Sequence, residues 1–147
     1  MKRLLFITSF LLLSFLSHSQ APKSANLIIV KTSDSTEMET YKRVARVLSD
    51  EGYAIKNADK ELMIINTEYK NLNTVNGSVK IIVSIQGNEI KIRGKWLFSV
   101  NHINGDDSEI EEEVRNEGSK ISIKKNSWNE LERLANLLGS QITYLIK

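Results

Sequence analysis

A chain of 147 residues with seven glycines and one proline is long enough for one hydrophobic core and short for two ordinary domains. It contains no cysteine, which excludes disulfides, thiolate metal sites, redox pairs and cysteine nucleophiles. Its 20 basic and 18 acidic residues leave a net charge of +2; Lys2 and Arg3 supply that surplus, so the rest of the chain is balanced and general affinity for nucleic acid or anionic lipid does not follow.

The chain opens with basic Met1-Lys2-Arg3. A run from Leu4 to Phe15 follows, broken only by Thr8, Ser9 and Ser14, and Leu16-Ser17-His18-Ser19 ends it with small residues two apart. That is the pattern of a secretory signal peptide, residues 1–19, with the cut between Ser19 and Gln20. The uncharged run is shorter than the roughly twenty apolar residues of a membrane-spanning helix. Cleavage would leave no transmembrane anchor and place the protein in the periplasm or outside the cell. Residues 20–25, with Ala21-Pro22-Lys23-Ser24, read as a flexible N-terminus.

A single domain, residues 26–147, comes next. Leu27-Ile28-Ile29-Val30 suits a buried strand. Asp34 with Glu37, or alternatively Ser35, signals a helix start. Met38, Tyr41, Val44, Ala45 and Leu48 recur on one helical face, and Gly52-Tyr53 ends the helix. Tyr53–Lys56 and Glu61–Lys70 read as strands around a turn at 57–60. The register of the second stays open, because Leu62-Met63-Ile64-Ile65 is apolar on both faces. Residues 71–77 form a loop.

Ser78–Gln86 and Glu89–Val100 flank Gly87-Asn88, a two-residue hairpin turn. Pairing through that turn sets Ile85 against Ile90, Val83 against Ile92, Ile81 against Gly94 and Val79 against Trp96, all on one face. Ser84 with Lys91, Ile82 with Arg93 and Lys80 with Lys95 take the other face. Gly94 marks a gap in the apolar face, a bulge or the close approach of another segment. Beyond a loop at 101–108, Glu109–Arg115 reads as a strand with Ile110 and Val114 inward. A turn at Gly118 leads to a strand at Lys120–Lys124. The last helix takes Ser127 and Glu130 as a capping box, and its stripe runs through Trp128, Leu131, Leu134, Leu138, Ile142 and Leu145.

The order β-α-β-β-β-β-(β-β)-α implies an α+β fold. It is a two-layer sandwich of a mainly antiparallel sheet with two amphipathic helices on one face, the opposite face being solvated and polar.

Tyr41, Val44, Leu48, Gly52, Tyr53, Ile55 and Ile64 set an amphipathic helix before a glycine-aromatic step and a strand pair. That segment resembles the helix-grip domains of BamC-type envelope proteins. The resemblance covers about a quarter of the chain, and the chain departs from the family in having one domain and no lipidated cysteine. It implies an envelope location and a protein-binding role, and carries over no functional residues.

Little in the sequence points to catalysis. With the leader gone, His102 is the one histidine left for a Ser-His-Asp triad, and no serine has a Gly-x-Ser-x-Gly context. Asn104–Glu109 offers oxygens for a cation, without EF-hand spacing, and reads as a solvated loop. Gly87–Lys95 has neither the spacing nor the strand-to-helix setting of a phosphate loop. No catalytic residue, metal ligand or cofactor is assigned. Lys80, Lys91, Arg93 and Lys95 form the single basic cluster. They read either as an ordinary charged outer face or as a surface for an envelope protein or anionic glycan, with nucleic acid disfavoured after export. The sequence thus leads to a non-enzymatic binding or scaffolding domain of the bacterial cell envelope. The alternative is a carrier of a small apolar ligand, in a pocket enclosed between the helices and the sheet with room left by Gly94.

Overall fold

The computed structural model describes residues 20–73, 75–100 and 108–147. In chain order its elements are β1 (Leu27–Lys31), α1 (Glu37–Asp50), β2 (Ile55–Asp59), β3 (Ile64–Thr67), β4 (Lys70–Asn71), β5 (Ser78–Gln86), β6 (Glu89–Val100), β7 (Ser108–Glu113), α2 (Ile123–Leu138) and β8 (Gln141–Leu145). The strands form one antiparallel sheet, ordered β2-β3-β5-β6-β1-β8. β4 extends the line of β3 along β5, and β7 extends the line of β1 along β6. α1 packs on β5 and β2, α2 packs on β6 and β1, and the two helices touch each other. The result is a two-layer α+β sandwich.

The register of β5 with β6 is the one that Gly87-Asn88 dictates, from Gln86↔Glu89 out to Val79↔Trp96. Gly87 sits at φ +59°, and Asn88 does not share the left-handed conformation, as a turn with glycine at its first central position requires. Ile81, Val83, Ile85, Ile90, Ile92 and Trp96 point under the helices, joined by Ile28 and Val30 of β1. Trp128 of α2, wholly buried, anchors the core from the helix side, its ring 5.9 Å from that of Tyr144. β3 resolves the ambiguous register. Ile65, paired with Val83, and Thr67 face the core, and Ile64, paired with Ser84, faces out.

Helix ends follow local chemistry. α1 is capped by Thr36, which accepts from the Glu39 N–H at 3.2 Å, and the Glu39 carboxylate accepts from the Ser35 N–H. The cap therefore lies one or two residues beyond Asp34 and Ser35. At the other end Gly52 takes φ +78°, and the Tyr53 N–H reaches back to the Leu48 carbonyl at 2.9 Å. This glycine-terminated ending turns the buried Tyr53 onto the core.

Further expectations need correction. Strand β2 begins later than Tyr53 and runs through the expected turn, which instead occupies residues 60–63. The strand expected at Lys120–Lys124 is absent: residues 120–121 turn and Ile123 opens α2. In place of a Ser127–Glu130 capping box, Ser122 caps α2, accepting from Lys125 N–H at 3.2 Å, and Ser127 is buried a turn further in. The helix also stops at Leu138. Ile142 and Leu145 keep helical spacing from Leu138, but Gly139-Ser140 breaks the helix and the β-branched and aromatic Ile-Thr-Tyr run becomes edge strand β8. In β7, Val114 just past its end is buried as expected, whereas Ile110 is 43% exposed.

Candidate binding surface

The face of the sheet turned away from the helices is built by strand alternation. Lys80, Lys91, Arg93 and Lys95 all lie on it, as their pairing partners require. The structure brings the four together on two strands but divides them electrostatically.

Lys80 and Lys95 share one carboxylate. The acidic segment 109–113, expected as a lone strand beside its own hairpin partner, instead pairs with β6 and sets Glu111 next to both lysines. Lys80 Nζ lies 2.7 Å and Lys95 Nζ 3.5 Å from the Glu111 carboxylate. The Tyr69 hydroxyl donates to Glu111 as well, at 2.5 Å, and Lys80 sits over the Tyr69 ring at 4.9 Å. Hydrogen bonds from Lys80 and then Tyr69, outweighing the cost of desolvation, hold the Glu111 carboxyl down at about 2. Neither the acidic run nor the tyrosine was linked to the basic cluster by sequence. The signal that could have linked them is the opposite-charge match across neighbouring strands.

Lys91 and Arg93 are not paired this way. Lys91 donates to the Gln86 side-chain carbonyl at 2.5 Å, a neutral partner. Arg93 makes no ion pair among the described residues. Around them the face departs from the expected polar character. Ile29 pairs with Lys91, Ile82 with Arg93, and Ile64 stands one strand further out opposite Ser84. All three isoleucines are half-buried, and Leu27, on the same side of β1, is almost fully buried. Long basic stems laid along the sheet cover such side chains while their charged heads stay in water. The surface is thus an apolar band studded with two cations.

Gly94 is a close approach and not a vacancy. A Cβ there would meet the Lys80 carbonyl at 2.9 Å, Leu131 Cδ1 at 3.0 Å and Val114 Cγ2 at 3.2 Å. The space beside Gly94 is therefore taken by β5, α2 and the segment after β7.

Elsewhere among the described residues, two further clefts are tied up internally. One, of about 320 Å³, is lined by Tyr53, Lys70, Asn73, Asn129, Glu130 and Arg133 among others. Tyr53 donates to Glu130 at 2.9 Å, Arg133 bridges Glu130 and Glu51, and Lys70 lies 4.6 Å above the Tyr53 ring. The hydrogen bond from Arg133, against desolvation, holds the Glu130 carboxyl below its usual range, while burial and then Glu130 push the Tyr53 hydroxyl far up. A fixed carboxylate beside a fixed phenol exchanges no proton near neutral pH, so this pair is poorly suited to acid–base chemistry. The other cleft, of about 330 Å³, is floored by Arg43. That guanidinium is spent on Asp34, Thr32 and the Leu138 carbonyl at 2.8–2.9 Å, clamping the end of α2 to the middle of α1 and to the loop before it.

Among the described residues no group of three or more histidines and carboxylates is placed to hold a metal ion, and no helix is long and apolar enough to cross a membrane. The leader, His102 and the cation-loop residues 104–107 lie outside the described residues. No family model matches the chain, and no match to it is found among curated proteins.

Proposed function

We propose that this chain is an exported, non-enzymatic binding or scaffolding domain of the bacterial cell envelope, and that the open sheet face around Lys91 and Arg93 is where its partner docks. The observation that carries this is the composition of that face. Among the described residues, two cations without carboxylate partners stand in a band of half-buried isoleucines, on a sheet whose other face the helices already cover. Cations set in apolar surface suit a partner that presents acidic groups beside its own apolar area. An envelope protein or an anionic glycan has that chemistry. The signal-peptide pattern of residues 1–19 and the resemblance to BamC-type helix-grip domains support the location.

The test is capture from envelope extract by the immobilised protein, compared with the Lys91→Glu/Arg93→Glu double variant. Capture should fall at least about tenfold in the double variant and weaken with added salt, the far-UV spectrum staying unchanged. Lys80→Ala/Lys95→Ala should matter less, because those lysines already serve Glu111. Capture indifferent to the charge reversal would sink the assignment of this face. Turnover of an envelope substrate, abolished by a single carboxylate substitution, would overturn the non-enzymatic part.

A further inference from the structure

The strands on the sheet's borders are not equally protected. β2 at one border has a register irregularity between Ile55 and Asn57 and carries Lys56 and Asp59. β7, which pairs with β6 alone, is Ser-Glu-Ile-Glu-Glu-Glu. Bulges and charges are the devices that keep an open strand from recruiting another. β8, at the opposite border, has neither. Gln141-Ile142-Thr143-Tyr144-Leu145 is uncharged, free of proline and paired without interruption to β1 over its whole length. Leu145 is 37% and the adjoining Ile146 59% exposed.

The backbone of β8 is oriented for a partner. The Leu145 carbonyl is turned inward, accepting from the Asn26 N–H at 3.0 Å. By the alternation of an antiparallel ladder, Gln141, Thr143 and Leu145 then bond toward β1, and Ile142 and Tyr144 turn their N–H and C=O groups to the open side.

We propose that β8 is a self-association edge, at which a second copy of this chain adds its own β8 antiparallel about Thr143 and continues the sheet across a twofold axis. The strand is complementary to itself in this register. The outward-bonding residues Ile142 and Tyr144 face each other's counterparts, so their free backbone groups satisfy one another. The side chains then form two β-branched–aromatic pairs, a favoured cross-strand combination. Thr143 meets Thr143 of the second copy, and Gln141 meets its Leu145. No like charges come together, because the strand has none; β7 paired with itself would oppose glutamates. A closed twofold contact of this kind also removes the exposed edge instead of propagating it.

The protein recovered after expression of the full chain is examined by sedimentation over a range of micromolar concentrations. A reversible dimer is expected, and Thr143→Lys, which sets two cations opposite each other on an exposed position, should weaken it by about tenfold or more without lowering the melting temperature of the monomer. The absence of cysteine allows a direct geometric readout. Opposed non-hydrogen-bonded residues have Cα atoms about 4.5 Å apart, within disulfide range. Thr143→Cys should therefore cross-link two copies on mild oxidation, and Ser84→Cys, mid-sheet on the same face, should not. A protein that stays monomeric at every concentration overturns the proposal. So does a dimer that is indifferent to Thr143→Lys and does not cross-link in Thr143→Cys, which would place the contact elsewhere.

Discussion

The two faces of the β5–β6 hairpin are held by different physics, although the residues that make them alternate along the same strands. On the helix side, Ile81, Val83, Ile85, Ile90, Ile92 and Trp96 are stabilised by leaving water and fitting α1 and α2 closely. On the open side, Lys80, Lys95 and Glu111 are held by charge pairing in reach of solvent, where each contact contributes little. Packing tolerates neither a gap nor an extra methyl group. The charge ladder tolerates loss of a member, because a neighbour takes over.

Removing volume from the packed side should have the largest effect. Trp128 is wholly buried against the sheet, and Trp128→Ala should cost about 3–5 kcal/mol in denaturant-induced unfolding, as large-to-small core changes do. Adding volume should follow. Gly94→Val places a side chain against the Lys80 carbonyl, Leu131 and Val114, and should cost about 1–3 kcal/mol through overpacking. If Gly94→Val were neutral or stabilising, α2 would have room to retreat, and space for a small apolar ligand would exist there after all. A third change should work in the opposite direction. Ser127 is buried in α2, and its hydroxyl has no hydrogen-bond partner among the described residues. Ser127→Ala removes an unsatisfied polar atom and adds helix propensity, and should raise stability by about 1 kcal/mol.

The contrast also explains which parts of the molecule the sequence reveals. Where one face is strictly apolar and a two-residue turn fixes the pairing, as from Ser78 to Trp96, register follows from the residues alone. Tyr53 and Gly52 are legible for a similar reason, since a left-handed glycine followed by an aromatic is a local signature. From residue 108 onward the deciding contacts are distant. Nothing near Glu111 shows that Lys80 and Tyr69 await it, as both come from strands far along the chain. Ser127 followed three residues on by Glu130 reads locally as a capping box. Only the tertiary structure, in which Ile123 packs beside the core and Tyr53 engages Glu130, moves the helix start back to Ser122. The basic cluster is legible as residues, but which of its members meet a carboxylate among the described residues depends on β7. The apolar band around Arg93 went unseen because Ile29 and Ile64 join it only through pairing across strands.

The charged face should respond to pH where the packed face does not. Glu111 titrates near 2 in the folded protein against an ordinary 4.5. Its folded value is depressed, so the unfolded chain binds more protons in between. Its stabilising contribution is therefore fully present above the ordinary glutamate range and is lost as pH falls toward about 2. Glu111→Gln should flatten that part of the acid limb of a stability–pH curve, leave the curve above pH 6 parallel to wild type, and matter less in high salt. Parallel curves at every pH would show that Lys80 and Tyr69 do not favour the ionised carboxylate.

The smallest effect is expected at Lys95. Its ammonium is 3.5 Å from Glu111 and its side chain 45% exposed, while Glu111 keeps the shorter contact to Lys80 at 2.7 Å and the hydrogen bond from Tyr69. Lys95→Ala should thus change stability by less than about 0.5 kcal/mol, since an exposed pair contributes little and its acceptor is already served. The Lys80→Ala/Lys95→Ala double variant should then cost more than the sum of the two single changes, because Glu111 loses both cations only when both lysines are gone. Denaturant melts of the three variants measure that coupling. Strict additivity would mean that the two lysines act independently. A single-variant loss above about 1 kcal/mol at Lys95 would mean that its stem, and not its charge, is what the sheet uses, by covering apolar surface beside Leu97.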